Sequence, residues 1–294
     1  MRKLRFALKF DSERHENLYR AGRISHYTGV SMTVHIAIPE PTGSDPVYNE
    51  RSLPLYLTAL EAAGATPVIV PLHERQDRVA RVLAEVQGIL LPGSRYDVDP
   101  QRFGEDPIPE CGEPDPARTA VDELLLQDAF NLHKPILAIC HGAQTLNVWR
   151  NGSLVQDLKT SVNHRPGREV VEAHPVRIRQ GSRLASLLPP GEQDEPPVNS
   201  SHHQAIRLPG DNLLVSAISP EDGIIEGLEL DSPEHFVLAV QWHPERTYTQ
   251  SAFSRAIFAA FVESAKAWEP RRIEESGVPD DRSSSAGWDS VAPE

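Results

Sequence analysis

The chain has 294 residues, enough for one large domain or two small ones and for a sizeable buried core. Its 29 basic and 42 acidic residues give a formal charge of −13, which argues against nucleic acid and anionic membrane surfaces as partners. No stretch approaches the roughly 18 apolar residues of a membrane span, and the first residues lack the apolar core of a secretory signal. Two cysteines are too few for a disulfide framework, so we expect a reducing, cytoplasmic setting.

The two ends of the chain differ in composition from its middle. Residues 1–32 are basic and form an N-terminal extension whose order the sequence leaves open. Residues 269–294 are acidic, rich in Ser and Pro and poor in periodic apolar residues, so a disordered tail is predicted there. The catalytic or binding domain is therefore expected within residues 33–265.

In that middle part, apolar β-branched runs alternate with helical patterns. Strands are predicted at 33–39, 66–72, 88–93 and 135–140, and helices at 53–64, 77–86 and 117–133. The strands at 66–72 and 135–140 are expected to be buried. Strands separated by helices indicate βαβ units and a mostly parallel sheet. Four further apolar runs follow one another at 169–178, 213–219, 223–230 and 235–242. This change of character predicts an additional antiparallel region in an α/β protein.

The strongest chemical signal is the run ILAICHGAQ, residues 136–144. An apolar strand ends at Cys140, Gly142 follows two places later, and a helical stretch begins. This is the layout of a nucleophile elbow, a sharp strand-to-helix turn in which a glycine allows close packing. The helix N-terminus would favour the Cys140 thiolate and supply N–H groups for an oxyanion. The alternative is that Cys140 is a small buried hydrophobe, a common fate of free cysteine.

A base for such a nucleophile is offered by His243, which follows the apolar run VLAV. A strand would deliver this histidine at its carboxyl end, where the sites of parallel sheets gather. Glu245, two residues further on, could orient the imidazole and favour its charged form. The alternative is an ordinary His-Pro-Glu turn. Cys140, His243 and Glu245 together would make a nucleophile–base–orienter set.

Two further motifs are less specific. Gly93, at the end of the strand GILL, could turn its N–H toward a pocket and act with the N–H of His141 as an oxyanion hole, or it could lie in a plain turn. The adjacent His202 and His203 suggest metal binding, but neighbours in a strand face opposite ways. Since no Cys or carboxylate cluster completes a ligand set around them, no metal site is predicted.

The segments LLPGS, ICHGAQ and VQWHPE, in this order, resemble the class I glutamine amidotransferase-like superfamily. Longer stretches, including DPARTAVDELLLQDAF and VNSSHHQAI, are similar to its peptidase C26 branch, typified by γ-glutamyl-γ-aminobutyrate hydrolase. The similarity covers roughly residues 33–265, and several motifs in the expected order make chance agreement very improbable. The resemblance implies a flavodoxin-like three-layer α/β sandwich.

The resemblance also implies roles for single residues. Cys140 would be the nucleophile, His243 the general base and acid, and Glu245 its orienter, with oxyanion N–H groups from Gly93 and His141. Position in the motifs suggests four substrate-binding residues, each of which could instead be a satisfied structural polar group: Asp97, Gln144, Asn199 and His202. Three residues lie in family-like segments without an assignable role: His164, His174 and Glu226.

The activity implied is hydrolysis of a γ-glutamyl amide through a cysteine thioester, without a cofactor and with a small-molecule substrate. Relatives of this type often carry Arg where His141 stands and read VNSLHGQ where this chain reads VNSSHHQ, so a different leaving-group pocket is expected. One alternative is a glutaminase subunit that supplies ammonia to a synthetase. Another is a non-catalytic member of the fold. A homodimer is the expected assembly.

Overall fold

The structure, a computed structural model, describes residues 33–191 and 195–270. The predicted extension 1–32 and residues 271–294 of the predicted tail lie outside these ranges. The strands, in chain order, are β1 (Val34–Pro39), β2 (Ala65–Val70), β3 (Gly88–Leu91), β4 (Ile136–Ile139), β5 (Ser153–Val155), β6 (His174–Pro175), β7 (Arg177–Ile178), β8 (Pro197–Val198), β9 (Ala205–Leu208), β10 (Leu213–Ile218), β11 (Ile225–Leu230) and β12 (Val237–Val240). The helices are α1 (Pro46–Ala62), α2 (Gln76–Glu85), α3 (Pro116–Leu132), α4 (His141–Trp149), α5 (Pro244–Thr247) and α6 (Ala252–Lys266).

One large mixed sheet organises the described residues. Its strand order is β2-β1-β3-β4-β12-β11-β10-β7, with β9 pairing to β11 and β5 to β9. The pairs from β2 through β12 are parallel, and those beyond β12 are antiparallel. This confirms the predicted sandwich with a mostly parallel centre and an added antiparallel region. Since β4 lies between β3 and β12, the loops that follow these three strands meet at one edge.

Helices cover both faces of the sheet because its central strands are apolar on both sides. Leu137 of β4 packs in the cluster that contains Phe258 of α6, on the face that α1 also covers. Its neighbour Ala138 packs in the cluster that contains Leu125 of α3, on the face of α2 and α4. Successive side chains of a strand point to opposite faces of the sheet, which explains why these neighbours lie in different clusters. Each fully buried large apolar side chain stabilises the folded state by about 1.5–3 kcal/mol.

Three elements differ from the sequence predictions. β2 was expected to be buried, but among the described strands it lies at the edge and pairs only with β1, and Ile69 is 42% exposed. α1 begins seven residues earlier than predicted, because Asp45 caps the N–H of Tyr48 and Pro46 occupies the first turn. The strand expected at 169–178 is reduced to the two-residue β6 and β7, where Pro175 lacks the N–H that a continuous ladder needs.

Within residues 33–191 and 195–270, no helix combines the length and the apolar character that a membrane crossing requires.

Candidate active site

Cys140 occupies the sharp turn between β4 and α4. Its backbone has φ 53° and ψ −109°, a conformation that costs a non-glycine residue about 1–3 kcal/mol and is typical of functional sites. The turn is held by a hydrogen bond from the Cys140 N–H to the carbonyl of Val240, at 2.8 Å. A side chain at Gly142 would place Cβ 2.3 Å from the carbonyl oxygen of Leu91, so only glycine fits there. The predicted elbow is therefore present.

His243 lies at the end of β12 and is oriented from two sides. Its Nδ1 pairs with Oε1 of Glu245 at 2.7 Å, and both side chains are buried. The side chain of Asn199 accepts from the His243 N–H and donates to the His243 carbonyl, both at 2.8 Å. Because Nδ1 donates to the carboxylate, Nε2 carries the lone pair that a general base requires.

Gly93 lies between the side chains of Cys140 and His243. A Cβ built on this glycine would lie 2.9 Å from Cε1 of His243 and 3.5 Å from Cβ of Cys140, so both side chains flank the same point. The Gly93 N–H donates to the Tyr56 hydroxyl at 3.0 Å, and the His141 N–H lies within hydrogen-bonding reach of the Cys140 sulfur. Both N–H groups therefore lie near Cys140, and their predicted role as an oxyanion hole stays a prediction.

A buried arginine that the sequence analysis missed fixes the direction of the Gly93 N–H. Arg118 of α3 is fully buried, pairs with Asp122 at 2.7 Å, and donates to the carbonyls of Pro41 at 2.9 Å and Pro92 at 2.6 Å. In a trans peptide the N–H points opposite to the C=O. Since the Pro92 carbonyl faces Arg118, the Gly93 N–H points away from Arg118, toward the Tyr56 hydroxyl. The Arg–Asp spacing of four on a predicted helix was the available sequence signal.

Burial opposes the ionisation expected of Cys140 and His243. Desolvation raises the pKa of Cys140 to about 12, outweighing the Arg246 charge and the His141 N–H, and so disfavours the thiolate. Desolvation and then the Arg246 cation lower the pKa of His243 to about 4, so its charged form is not favoured either. Both shifts favour a neutral thiol and a neutral imidazole. Burial and then the Asp97 charge also raise the pKa of the second cysteine, Cys111, to about 11.

Arg246 was not predicted as a site residue, yet it contacts His243 directly. Its Nη2 donates to Nε2 of His243 at 3.1 Å. Arg246, Arg168 and Asn199 also line a cavity of about 200 Å³ together with Leu55, Glu169, Val170, Val171 and Gln250. Two guanidinium groups in one small cavity favour an anionic ligand, since arginine pairs carboxylates with two parallel hydrogen bonds. A bound carboxylate would draw Arg246 away from Nε2 and free that nitrogen.

Replacing Arg246 by glutamine is expected to move the acid limb of kcat/KM to higher pH. Activity falls as pH drops through the pKa of His243, because a protonated imidazole cannot accept the Cys140 proton. Loss of the cation removes the second-largest of the causes that hold this pKa near 4, so the limb shifts toward 6.5. KM for an anionic substrate is expected to rise by roughly 10–100-fold, the worth of a charged hydrogen bond. Arg255→Gln, on the exposed face of α6, is the control; an unchanged limb and KM in Arg246→Gln would remove both roles.

The four suggested substrate-binding residues have different surroundings. Gln144 donates its amide to the carbonyl of Gln204 at 2.8 Å and to Gln241 at 3.1 Å, inside the protein. Asp97, in the loop after β3, accepts from the N–H of Gly112 and pairs with His203. Of the four, Asn199 both lines the cavity and holds His243. Their roles toward substrate stay predictions.

The expectation that no carboxylate accompanies the adjacent histidines is wrong. The structure brings His202 together with His164, His174 and the Glu226 carboxylate, all buried. These residues come from three separate stretches of chain, which is why spacing around His202 alone did not find them. The prediction that neighbouring histidines face opposite ways is confirmed, since His203 pairs instead with Asp97 at 2.9 Å.

The sheet order and the elbow define the class of the protein, that of the class I glutamine amidotransferase-like fold. A solved glutamine amidotransferase from Methylobacillus flagellatus has this fold, with a TM-score of 0.55 and 12% identity over 84% of this chain and all of that chain. The chain belongs to the peptidase C26 family, whose profile matches residues 36–245.

Curated relatives agree with the family assignment. The chain is 38% identical over 221 residues to a Mycobacterium tuberculosis protein named "Putative glutamine amidotransferase Rv2859c", covering 74% of this chain and 68% of that protein. It is 33% identical over 217 residues to the γ-glutamyl-γ-aminobutyrate hydrolase PuuD of Escherichia coli K12, covering 70% and 83%. The family and these relatives support a γ-glutamyl amide hydrolase or a glutamine amidotransferase-like activity.

Proposed function

We propose that the protein hydrolyses γ-glutamyl amides through a thioester on Cys140, releasing glutamate and an amine. The observation that carries this proposal is the meeting of Cys140 and His243 at Gly93, with Arg246 linking His243 to a cavity that Arg168 also lines. A nucleophile, a base of the correct tautomer and two oxyanion donors suit acyl transfer. The two arginines suit the α-carboxylate of a glutamyl group, or a carboxylate on the leaving amine.

The reaction begins with the neutral pair. The Cys140 thiol passes its proton to Nε2 of His243 while sulfur attacks the γ-carbonyl carbon, and the N–H groups of Gly93 and His141 hold the oxyanion. The C–N bond then breaks, and the amine departs with the proton from His243. Water next gives a proton to His243 and adds to the thioester carbonyl. The C–S bond breaks, glutamate leaves, and Cys140 regains its proton.

The neutral resting pair suits a hydrolase that reacts only with its substrate bound. With a Cys140 pKa near 12 and a His243 pKa near 4, the thiol stays protonated over the physiological range. A bound carboxylate removes Arg246 from Nε2, which restores the acceptor for the Cys140 proton. Substrate binding and activation of the nucleophile are thereby linked through one side chain.

A glutaminase subunit is the second candidate function. The Mycobacterium tuberculosis relative carries the name of a glutamine amidotransferase, and the same thioester chemistry releases ammonia when glutamine is the substrate. Such a subunit would hydrolyse glutamine and pass ammonia to a synthetase partner, so it would be nearly silent in isolation.

The deciding experiment is a mass-spectrometric assay of the purified full chain against a γ-glutamyl panel. The panel holds γ-glutamyl-GABA, γ-glutamyl dipeptides, γ-glutamyl polyamines, glutathione and glutamine. We expect glutamate release from one amide class, abolished in Cys140→Ala, with a leaving amine that names the physiological class. Activity confined to glutamine would favour the subunit. Silence of a folded wild-type chain on the whole panel would contradict the hydrolase proposal and is the result expected of a subunit without its synthetase.

A further inference from the structure

A second cluster of chemically active side chains lies beside the catalytic histidine and takes no part in the proposed reaction. Its members are His164, His174 and His202, with Glu226 of β11. One ligand atom from each lies within 4.8 Å of the other three, and each residue is at most 6% exposed. Oε1 of Glu226 is 3.2 Å from Nδ1 of His164, 3.7 Å from Nε2 of His174 and 3.5 Å from Nε2 of His202.

Each of the three imidazoles has an inner ring nitrogen that faces Glu226 and an outer one that faces away from it. The hydrogen bond of the outer nitrogen shows where the ring carries its proton. His164 directs Nε2 to the Asp222 carboxylate at 2.9 Å, His174 directs Nδ1 to the Pro175 carbonyl at 3.1 Å, and His202 directs Nδ1 to the Gln204 carbonyl at 2.9 Å. A carboxylate or carbonyl oxygen can only accept, so each outer nitrogen carries the proton. A ring that carries only this outer proton points a lone pair at the Glu226 carboxylate.

The centre of the cluster thus contains acceptors without a donor. Within the described residues, the three inner nitrogens and both Glu226 oxygens make no hydrogen bond of ordinary geometry. Buried polar atoms in native proteins are almost always paired, and an unpaired acceptor costs about 1–3 kcal/mol. Four such groups facing one another need a cation between them.

We propose that His164, His174, His202 and Glu226 bind a zinc ion that fastens two loops to β11. Three neutral imidazoles and a carboxylate in a tetrahedron are ligands that zinc prefers, and imidazoles bonded outward to carboxylate or carbonyl oxygens are the usual surroundings of such ligands. Zinc bonds of about 2.0–2.1 Å give ligand-to-ligand edges of roughly 3.4 Å, close to the spacings around Glu226. The charges of Glu226 and Asp222 balance the divalent ion.

The position of the site explains what the ion would do. The Glu226 carbonyl accepts from the N–H of Gln241, two residues before His243. His202 lies three residues after Asn199, whose side chain holds the His243 backbone, and the His164 carbonyl accepts from the Ser200 hydroxyl and the His202 N–H. All four ligands are buried, so the site is structural and holds the loop that positions His243.

The test uses the full chain in the Cys140→Ala background, so that zinc cannot bind the active-site thiol. Protein is chelated, dialysed against buffered free zinc and analysed for metal content, Tm and zinc X-ray absorption. We expect about one zinc ion per chain, held by three nitrogens and one oxygen at about 2.0–2.1 Å. At saturating free zinc, Tm should rise by about 5–10 °C.

Three variants locate the ion. His174→Gln removes a ligand and should abolish both stoichiometric zinc and the rise in Tm. Asp222→Asn weakens the hydrogen bond that orients the His164 imidazole and should lower zinc affinity by roughly 10–100-fold. His203→Gln is the matched control, because this adjacent histidine faces Asp97 and Asp157 and should keep zinc uptake and the Tm shift.

Two results would overturn the proposal. One is an otherwise folded chain that takes up no zinc and shows no Tm shift at saturating free zinc, in which case a proton on His164 holds the cluster. The other is a sulfur scatterer in the absorption spectrum or equal zinc uptake by His174→Gln, either of which places the ion elsewhere. The wild-type ligand distances remain decisive if His174→Gln fails to fold.

Discussion

Cys140→Ala is expected to lower kcat for γ-glutamyl hydrolysis by roughly 10⁴–10⁶-fold, the loss typical of removing a catalytic nucleophile. No other described group near Gly93 carries a sulfur, and the second cysteine, Cys111, lies in the loop before α3. The measurement is kcat on the best substrate of the panel, with trapping of the acyl-enzyme by mass spectrometry. The trapped glutamyl adduct should sit on Cys140 in the wild-type chain.

The matched control for this variant is Cys111→Ala, which removes the other thiol and should leave kcat within about twofold, as is usual away from a reacting site. Both thiols have raised pKa values, about 12 for Cys140 and about 11 for Cys111, so simple alkylation at neutral pH should be slow at both. Selective reaction at Cys140 is expected only with a γ-glutamyl electrophile. Equal loss of activity in the two variants would contradict the assignment of the nucleophile.

Arg118→Met is expected to lower both stability and kcat. The substitution leaves Asp122 and the carbonyls of Pro41 and Pro92 buried without their hydrogen-bond donor. Breaking a buried ion pair lowers the free energy of unfolding by about 3–5 kcal/mol. For a domain of this size that corresponds to a fall in Tm of about 6–20 °C. The freed Pro92–Gly93 peptide should also misdirect one oxyanion donor, lowering kcat by roughly 10²–10³-fold with little change in KM.

The companion variant Arg118→Met/Asp122→Leu separates these effects. Without a stranded carboxylate, much of the stability should return, as it does when buried ion pairs are replaced by apolar residues. The kcat defect should persist, because nothing anchors the Pro92 carbonyl. Recovery of stability and kcat together would show that Arg118 has only a structural role.

The sequence predicted the architecture because the decisive patterns are local. Short apolar runs such as GILL and PILAIC are buried on both faces, as central parallel strands require, and Gly142 follows Cys140 at the spacing of a sharp strand-to-helix turn. The predictions failed where pairing partners decide the outcome. β2 has one neighbour rather than two, and the run 169–178 meets its partners over only two residues at a time.

The residues of the candidate site also divide into those that a local pattern predicted and those that only a tertiary contact revealed. Cys140, His243 and Glu245 stand in motifs whose residue types and order are informative by themselves. Arg246 directly follows such a motif, but its contact with Nε2 of His243 depends on a side-chain conformation that no spacing encodes. The role of Arg118 depends on the approach of α3 to the loop after β3, across 26 residues of chain.

The amino-acid sequence by itself determined the fold class and the position of the elbow, and it supplied the proposed nucleophile, base and orienter, since each rests on neighbours within a few residues. Only the tertiary structure decided their ionisation, because burial is a property of the whole fold and here outweighs the helix N-terminus and the Glu245 charge. It also decided the histidine–glutamate cluster, whose ligands come from positions 164, 174, 202 and 226 and meet only when the antiparallel strands pack.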